Sequence, residues 1–286
     1  MADFLKSQLD YIFFVYGAAF FLLIPLCLFL RQRPNCCRLA WGWLGWFGAT
    51  HGANEWLDLL ALSVDANPLF NLARVCLLIV SFVCLAEFGR ASLATMRGHG
   101  PGRWVLAVMV ALAALGGLAG LAGVNVATRY GLGLVGGLWA ARALFFAAKT
   151  LPLGARHLQA AAFGMTLYAL AAGLVPNPAP FFPASWLNYE IFLDFTGVPI
   201  QLIRGLLAVW VSVSLCLVAR SCLEAENDLR QEYAEDYESH EDGGRGLPGG
   251  GKGPSSTSLV SQSDAGSHHQ PYLAGDRRMV HHAVLR

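Results

Sequence analysis

The segment His51-Gly-Ala-Asn54-Glu55-Trp-Leu-Asp58 carries an imidazole, a carboxamide and two carboxylates within eight residues. At 3.6 residues per turn, His51, Asn54, Glu55 and Asp58 fall along one face of a helix. Groups of these types can bind a proton or hold a polar ligand, and an imidazole with an ordinary pKa of about 6.5 adds a pH-sensing capacity. His51 and Glu55 at i, i+4 could both reach a metal ion, but no third ligand of the usual kind accompanies them, so no metal is expected. A haem would need a second axial histidine. The other histidine bordering an apolar segment, His157, lies far from His51 in depth, so no cofactor is expected. No paired catalytic acids or nucleophile-base set can be placed together, and no catalytic domain is visible.

The elements that must position these groups are apolar. Hydrophobic residues make up 55% of the chain and charged residues only 14%, with a formal net charge of +1 and a mean hydropathy of +0.47. Soluble domains carry roughly a quarter charged residues. No basic stripe is available to neutralise phosphates, which argues against a nucleic-acid partner and leaves lipid as the surrounding. Apolar blocks of about 20 residues, enough to cross a bilayer as a helix, run over Tyr11–Leu30, Leu39–Leu62, Leu69–Phe88, Trp104–Val124, Gly131–Ala148, Leu158–Val175 and Val198–Val218. They lack the alternation of barrel strands. The expected fold is therefore all-α, a polytopic bundle of seven transmembrane helices. The first block follows acidic Asp3 and Asp10 and has no clean cleavage site, so it reads as a retained helix and not a secretory signal.

Basic residues set the orientation. Arg31, Arg33, Arg38, Arg90, Arg97, Arg103, Lys149 and Arg156 occupy the first, third and fifth connections, while the opposite side holds only Lys6 and Arg129. The positive-inside tendency then puts the N-terminus outside and the C-terminus in the cytoplasm, as for a multi-pass protein of a bacterial inner membrane. Arg142, near the inner boundary, is expected to snorkel.

In this frame Glu55 lies roughly 10 Å below the outer boundary, with His51 nearer the middle. Arg74 and Arg204 come from two other helices at about the same 10 Å depth, with Asp58 above and Gln201 one turn from Arg204. Charges at that depth must be paired or face a wet cavity. Two readings stand: an ion pair of Glu55 with Arg74 or Arg204 that fixes helix register, or a polar pocket open to the outer side that senses a ligand or proton. The connection Pro176–Gly197 is rich in proline and aromatic residues. Ser185 could cap a short helix from Trp186 to about Phe195, and Trp186, Asn188, Tyr189 and Glu190 could form a lid on the pocket or an interfacial anchor.

Gly116 and Gly120 form a G-x-x-x-G, and Gly131, Gly133, Gly136 and Gly137 follow. Small residues permit close helix approach, either of the fourth helix on the fifth or across a homodimer seam. No disulfide is expected, and Cys36 and Cys37 read as ordinary loop thiols. The chain divides into a transmembrane domain (1–222), an acidic cytoplasmic helical stalk (223–242) and a disordered tail (243–286) containing His268, His269, His281 and His282.

The His51–Asp58 segment, Leu85-Ala-Glu87-Phe-Gly-Arg90, Pro178-Ala-Pro-Phe-Phe-Pro-Ala-Ser-Trp-Leu-Asn188 and Pro199-Ile-Gln-Leu-Ile-Arg204 resemble the membrane-integral input regions that precede PAS and histidine-kinase modules in bacterial sensor proteins. The resemblance covers about residues 5 to 230. It implies stimulus detection in the bundle and transmission down the last helix. No phosphoacceptor segment or ATP-binding glycine boxes fit after Arg230. The resemblance thus implies either a separate cytoplasmic output protein or a truncated or frame-shifted relative. A small proton-coupled or solute transporter using Glu55 and Arg204 is the alternative, although no inverted repeat is visible.

Overall fold

The computed structural model describes residues 2–33, 38–64, 67–151 and 154–245, with side chains from Phe4 to Glu235 within those limits. Cys36, Cys37 and the tail from residue 246, with its four histidines, lie outside the described residues. The described elements are helical throughout. After a short helix, Ala2–Ser7, come α1 (Leu9–Arg31), α2 (Trp41–Leu60), α3 (Pro68–Arg97), α4 (Trp104–Leu115), α5 (Gly120–Thr128), α6 (Val135–Ala148), α7 (Ala155–Leu174), α8 (Tyr189–Thr196) and α9 (Ile200–Arg245).

Local sequence explains most of these limits. In α1 the helix relaxes to a turn at Leu22, because Pro25 cannot donate a hydrogen bond and its ring crowds the carbonyl of Phe21. Helix α3 opens on Asn67, whose Oδ1 accepts from the Phe70 amide at 2.8 Å, with Pro68 in the first turn. It closes at Gly98, with φ of 73°.

Four segments are long and apolar enough to cross a membrane: Leu9–Arg31, Pro68–Arg97, Trp104–Ala148 and Ile200–Glu235. The third of these is folded back on itself. Helix α4 stops at Leu115, a 3-10 turn covers Gly116–Ala119, and Gly120 adopts φ of 73°. A Cβ on Gly116 would stand 2.3 Å from the carbonyl oxygen of Gly123. Residues seven apart in a continuous helix are about 10 Å apart, so the backbone has reversed. Leu118 sits at the tip, 94% exposed. The return runs through α5, a π-helical stretch Arg129–Leu134, and α6.

This hairpin corrects two expectations. The fourth apolar helix ends before Val124, and the connection to the fifth lies at Gly116–Gly120, not between Val124 and Gly131. Arg129 is consequently not a connection residue. It is buried within the return helix. The G-x-x-x-G spans the hairpin turn, where Gly116 brings α4 against the return helix at Gly123.

Among the described residues, α1 packs on α2, α2 on α3, α3 on α6 and α6 on α7. Helix α9 closes the ring: the Ser212 hydroxyl donates to the Ala19 carbonyl of α1 at 2.8 Å, and Arg204 reaches the end of α7. Close approach of α3 and α6 depends on Gly89, where a Cβ would lie 2.6 Å from the Ala140 nitrogen. Helix α4 stands outside the ring, against α3 and its own return helix. The ring is filled by Tyr16, Phe20, Phe47, Phe82 and Tyr168, all buried. Within the unit that holds the bundle, helix α9 is unbroken from Ile200 to Glu235.

The connection after α7 is seated on the bundle. Ala179 and Ala184 pack with Val126 of α5 in a small apolar cluster of their own. The cap of α8 is Asn188 and not Ser185. Its Oδ1 accepts from the amides of Glu190 and Ile191, each at 3.1 Å, while its Nδ2 donates to the Ala184 carbonyl at 2.9 Å.

Candidate functional site

Polar groups collect at the end of the bundle that carries the N-terminus, in two tiers. The upper tier is a cavity of about 480 Å³. One wall is the polar face of α2, with Asn54 and Asp58, and a second is Asn71 and Arg74 of α3. Asn125 and Arg129 come from the return helix, Gln201 from α9, and Asn177 and Tyr189 from the connection above.

Asp58 and Arg74 form an ion pair, with Nε of Arg74 2.6 Å from Oδ1 of Asp58. Nη1 of Arg74 also donates to Oδ1 of Asn71 at 3.3 Å. Arg129 is held by i, i+4 geometry: its Nε donates to Oδ1 of Asn125 at 3.0 Å, and Nη1 approaches the Ala172 carbonyl at 3.4 Å. Arg129 is the first residue of the π-helical stretch, an irregularity that often accompanies functional positions. Oδ1 of Asn54, on a residue only 3% exposed, has no hydrogen-bond partner among the described residues.

The lower tier is sealed. His51 is fully buried, with the rings of Phe20, Phe47 and Phe82 about it at centroid distances of 4.8, 5.0 and 5.1 Å. The Ser81 hydroxyl donates to the Leu78 carbonyl at 2.8 Å, so its oxygen accepts from Nδ1 of His51 at 2.9 Å. In a neutral ring Nε2 is then the acceptor, and Tyr168 donates to it at 2.7 Å. Tyr16 completes the chain, its hydroxyl 3.0 Å from that of Tyr168. Glu55 lies beside it, with Oε1 3.4 Å from Nε2 of His51.

Of the residues singled out from sequence, Asn54, Asp58, Arg74 and Gln201 line the cavity, and His51 and Glu55 lie in the sealed tier. Neither arginine proposed as partner to Glu55 makes that pair. Arg74 is engaged by Asp58. Arg204 donates to the Ala171 carbonyl at 3.1 and 3.0 Å and to the Val175 carbonyl, satisfying the open end of α7. The charges of Arg129 and Arg204 reach Glu55 through space, but no ion-pair contact joins either to a carboxylate among the described residues.

The lid residues separate in the same way. Tyr189 lines the cavity, and its hydroxyl donates to Oε1 of Glu190 at 3.3 Å. Asn188 is a buried cap. Trp186 is 75% exposed and packs edge-on to Phe182, away from the cavity.

Sequence reasoning missed Asn125 and Arg129, whose i, i+4 spacing was a readable signal once they were placed in a helix. It also missed Ser81, Tyr16 and Tyr168, for which no local signal exists because hydroxyls within apolar blocks read as core. Among the described residues no three His, Cys, Asp or Glu side chains cluster as metal ligands would. No protein-family model, no curated protein and no solved structure matches the chain, so the chemistry of these two tiers is the guide to its role.

Proposed function

We propose that this chain is the membrane-embedded input module of a bacterial signal-transduction system. It crosses the inner membrane seven times, with its N-terminus outside and its C-terminus in the cytoplasm, and passes its state to a separate cytoplasmic output protein. The seven passes are α1, α2, α3, α4, the return helix through α6, α7 and α9. With Arg129 inside the bundle, the basic residues of the connections are still more one-sided, only Lys6 remaining on the outer side.

The observation that carries this reading is that one helix serves both the cavity and the exit. Gln201 of α9 lines the cavity, Arg204 one turn on fastens α9 to α7, and the same helix runs on to Glu226, which pairs with Arg33 at 3.0 Å. An occupant that moves Gln201 relative to Arg204 therefore acts on the element that leaves the membrane.

The test is a fusion of a cytoplasmic histidine-kinase core after Asp242 of the full bundle. Gln201→Trp and Arg74→Gln should each shift its autophosphorylation, while Leu118→Ala, at the exposed hairpin tip, should not. Unchanged phosphorylation in both cavity variants, with normal membrane insertion, would sink the reading.

A further inference from the structure

The two tiers contain more positive than negative charge. Arg74, Arg129 and Arg204 face Glu55 and Asp58, and Arg74 is already matched by Asp58. Even with Glu55 ionised, the cluster holds one uncompensated positive charge. Inside a bundle of this apolarity an unmatched cation is costly.

Arg129 is where that charge is accessible. It lines the cavity while remaining only 5% exposed. Nε and Nη1 are used by Asn125 and Ala172, and Nη2 has no protein acceptor among the described residues. The Arg204 guanidinium is by contrast spent on the carbonyls of α7 and does not line the cavity. The second observation is Asn54, a lining residue of the same cavity whose buried Oδ1 has no hydrogen-bond donor among the described residues, so that a small turn of the carboxamide would offer it to an occupant. A buried acceptor left without one costs free energy.

Extending the sensory reading, on which this step rests, we propose that the cavity binds a small organic carboxylate that also bears a hydroxyl donor. The carboxylate takes the free edge of Arg129 and the donor meets Oδ1 of Asn54. A singly charged anion offsets the positive charge that remains even with Glu55 ionised. A carboxylate also matches the planar fork of a guanidinium. A volume of about 480 Å³ is within the usual range for small-molecule sites.

The experiment uses the full chain in lipid nanodiscs, with calorimetric titration of five probes: lactate, propionate, lactamide, ethanolammonium and inorganic phosphate. Lactate should bind best and propionate more weakly, and neither the neutral amide nor the cation should register. Arg129→Gln should weaken lactate about tenfold or more. Asn54→Leu should bring lactate down to the affinity of propionate and leave propionate unchanged. Should Arg129→Gln fail to fold, Arg129→Lys, which keeps the charge, should retain propionate binding while Asn54→Leu supplies the specificity arm. Lactamide or ethanolammonium binding as tightly as lactate, inorganic phosphate binding more tightly than lactate, lactate indifferent to both substitutions, or no carboxylate binding at millimolar concentration would each overturn the proposal. Carboxylate binding with no change in the kinase fusion defeats the sensory reading and leaves the ligand class standing. A responsive fusion without carboxylate binding does the reverse.

Discussion

Tyr168 donates its hydroxyl proton to Nε2 of His51 across 2.7 Å, joining α7 to α2 through a ring that no solvent reaches. Ser81 fixes the opposite nitrogen, so the tautomer follows from the hydrogen-bond order. Tyr168→Phe leaves a buried ring nitrogen without a donor and should lower stability by about 1–3 kcal/mol. Tyr16→Phe removes only the terminal donor and should cost about 0.5–1.5 kcal/mol. Thermal unfolding of the purified variants in detergent decides the order. Equal costs would mean the chain is not polarised as described.

Arg204 acts on carbonyls, not on Glu55. Arg204→Leu should destabilise by about 2–3 kcal/mol, since Ala171 and Val175 lose a charged donor. Most of that loss should persist when Glu55→Gln is already present. A double-mutant cycle in which Glu55→Gln restores stability would instead identify a direct pair.

The ion pair between Asp58 and Arg74 is partly open to the cavity, with side-chain exposures of 17% and 30%. Its coupling energy should be small, about 1 kcal/mol or less, and should fall as salt is added. A salt-independent coupling would show that the pair is sealed from water.

The hairpin tolerates no side chain at its crossing. Gly116→Val or Gly123→Val should cost about 1–3 kcal/mol or prevent folding, because the new Cβ meets backbone at 2.3 or 2.1 Å. Gly131→Ala, with nothing within 4 Å, should be accepted. Folded yield by gel filtration separates the two classes.

Topology is tested with reporters. One active only in the cytoplasm should work after Asp242, and one active only outside should work when inserted near Pro180. The reverse pattern would invert the proposed orientation.

What was legible in the sequence is the part governed by composition. Apolar blocks and their helical character were readable because lipid-length hydrophobicity is a bulk property. The polar face of α2 was readable because 51, 54, 55 and 58 obey helical spacing. The hairpin was not, since Gly116–Gly120 makes its turn without a polar residue and a hydropathy window passes straight over it. That single miss displaced Arg129 into a connection and hid the accessible charge of the cavity. Partner choice was also beyond reach: matched depth put Glu55, Arg74 and Arg204 on one level, but azimuth around each helix decided that Arg74 meets Asp58 and that Arg204 meets backbone.

The length of α9 has a mechanical consequence. From Ile200 to Glu235 the helix is unbroken, a rod of about 53 Å at 1.5 Å per residue. Arg204 ties it to α7 beside the cavity, Ser212 ties it to α1 farther along, and Glu226 ties it to Arg33 beyond that. A rod held at three levels does not swing about one of them. A displacement at Gln201 is therefore handed on as a load on the Ser212 and Glu226 contacts, and the far end travels only as far as those two contacts yield.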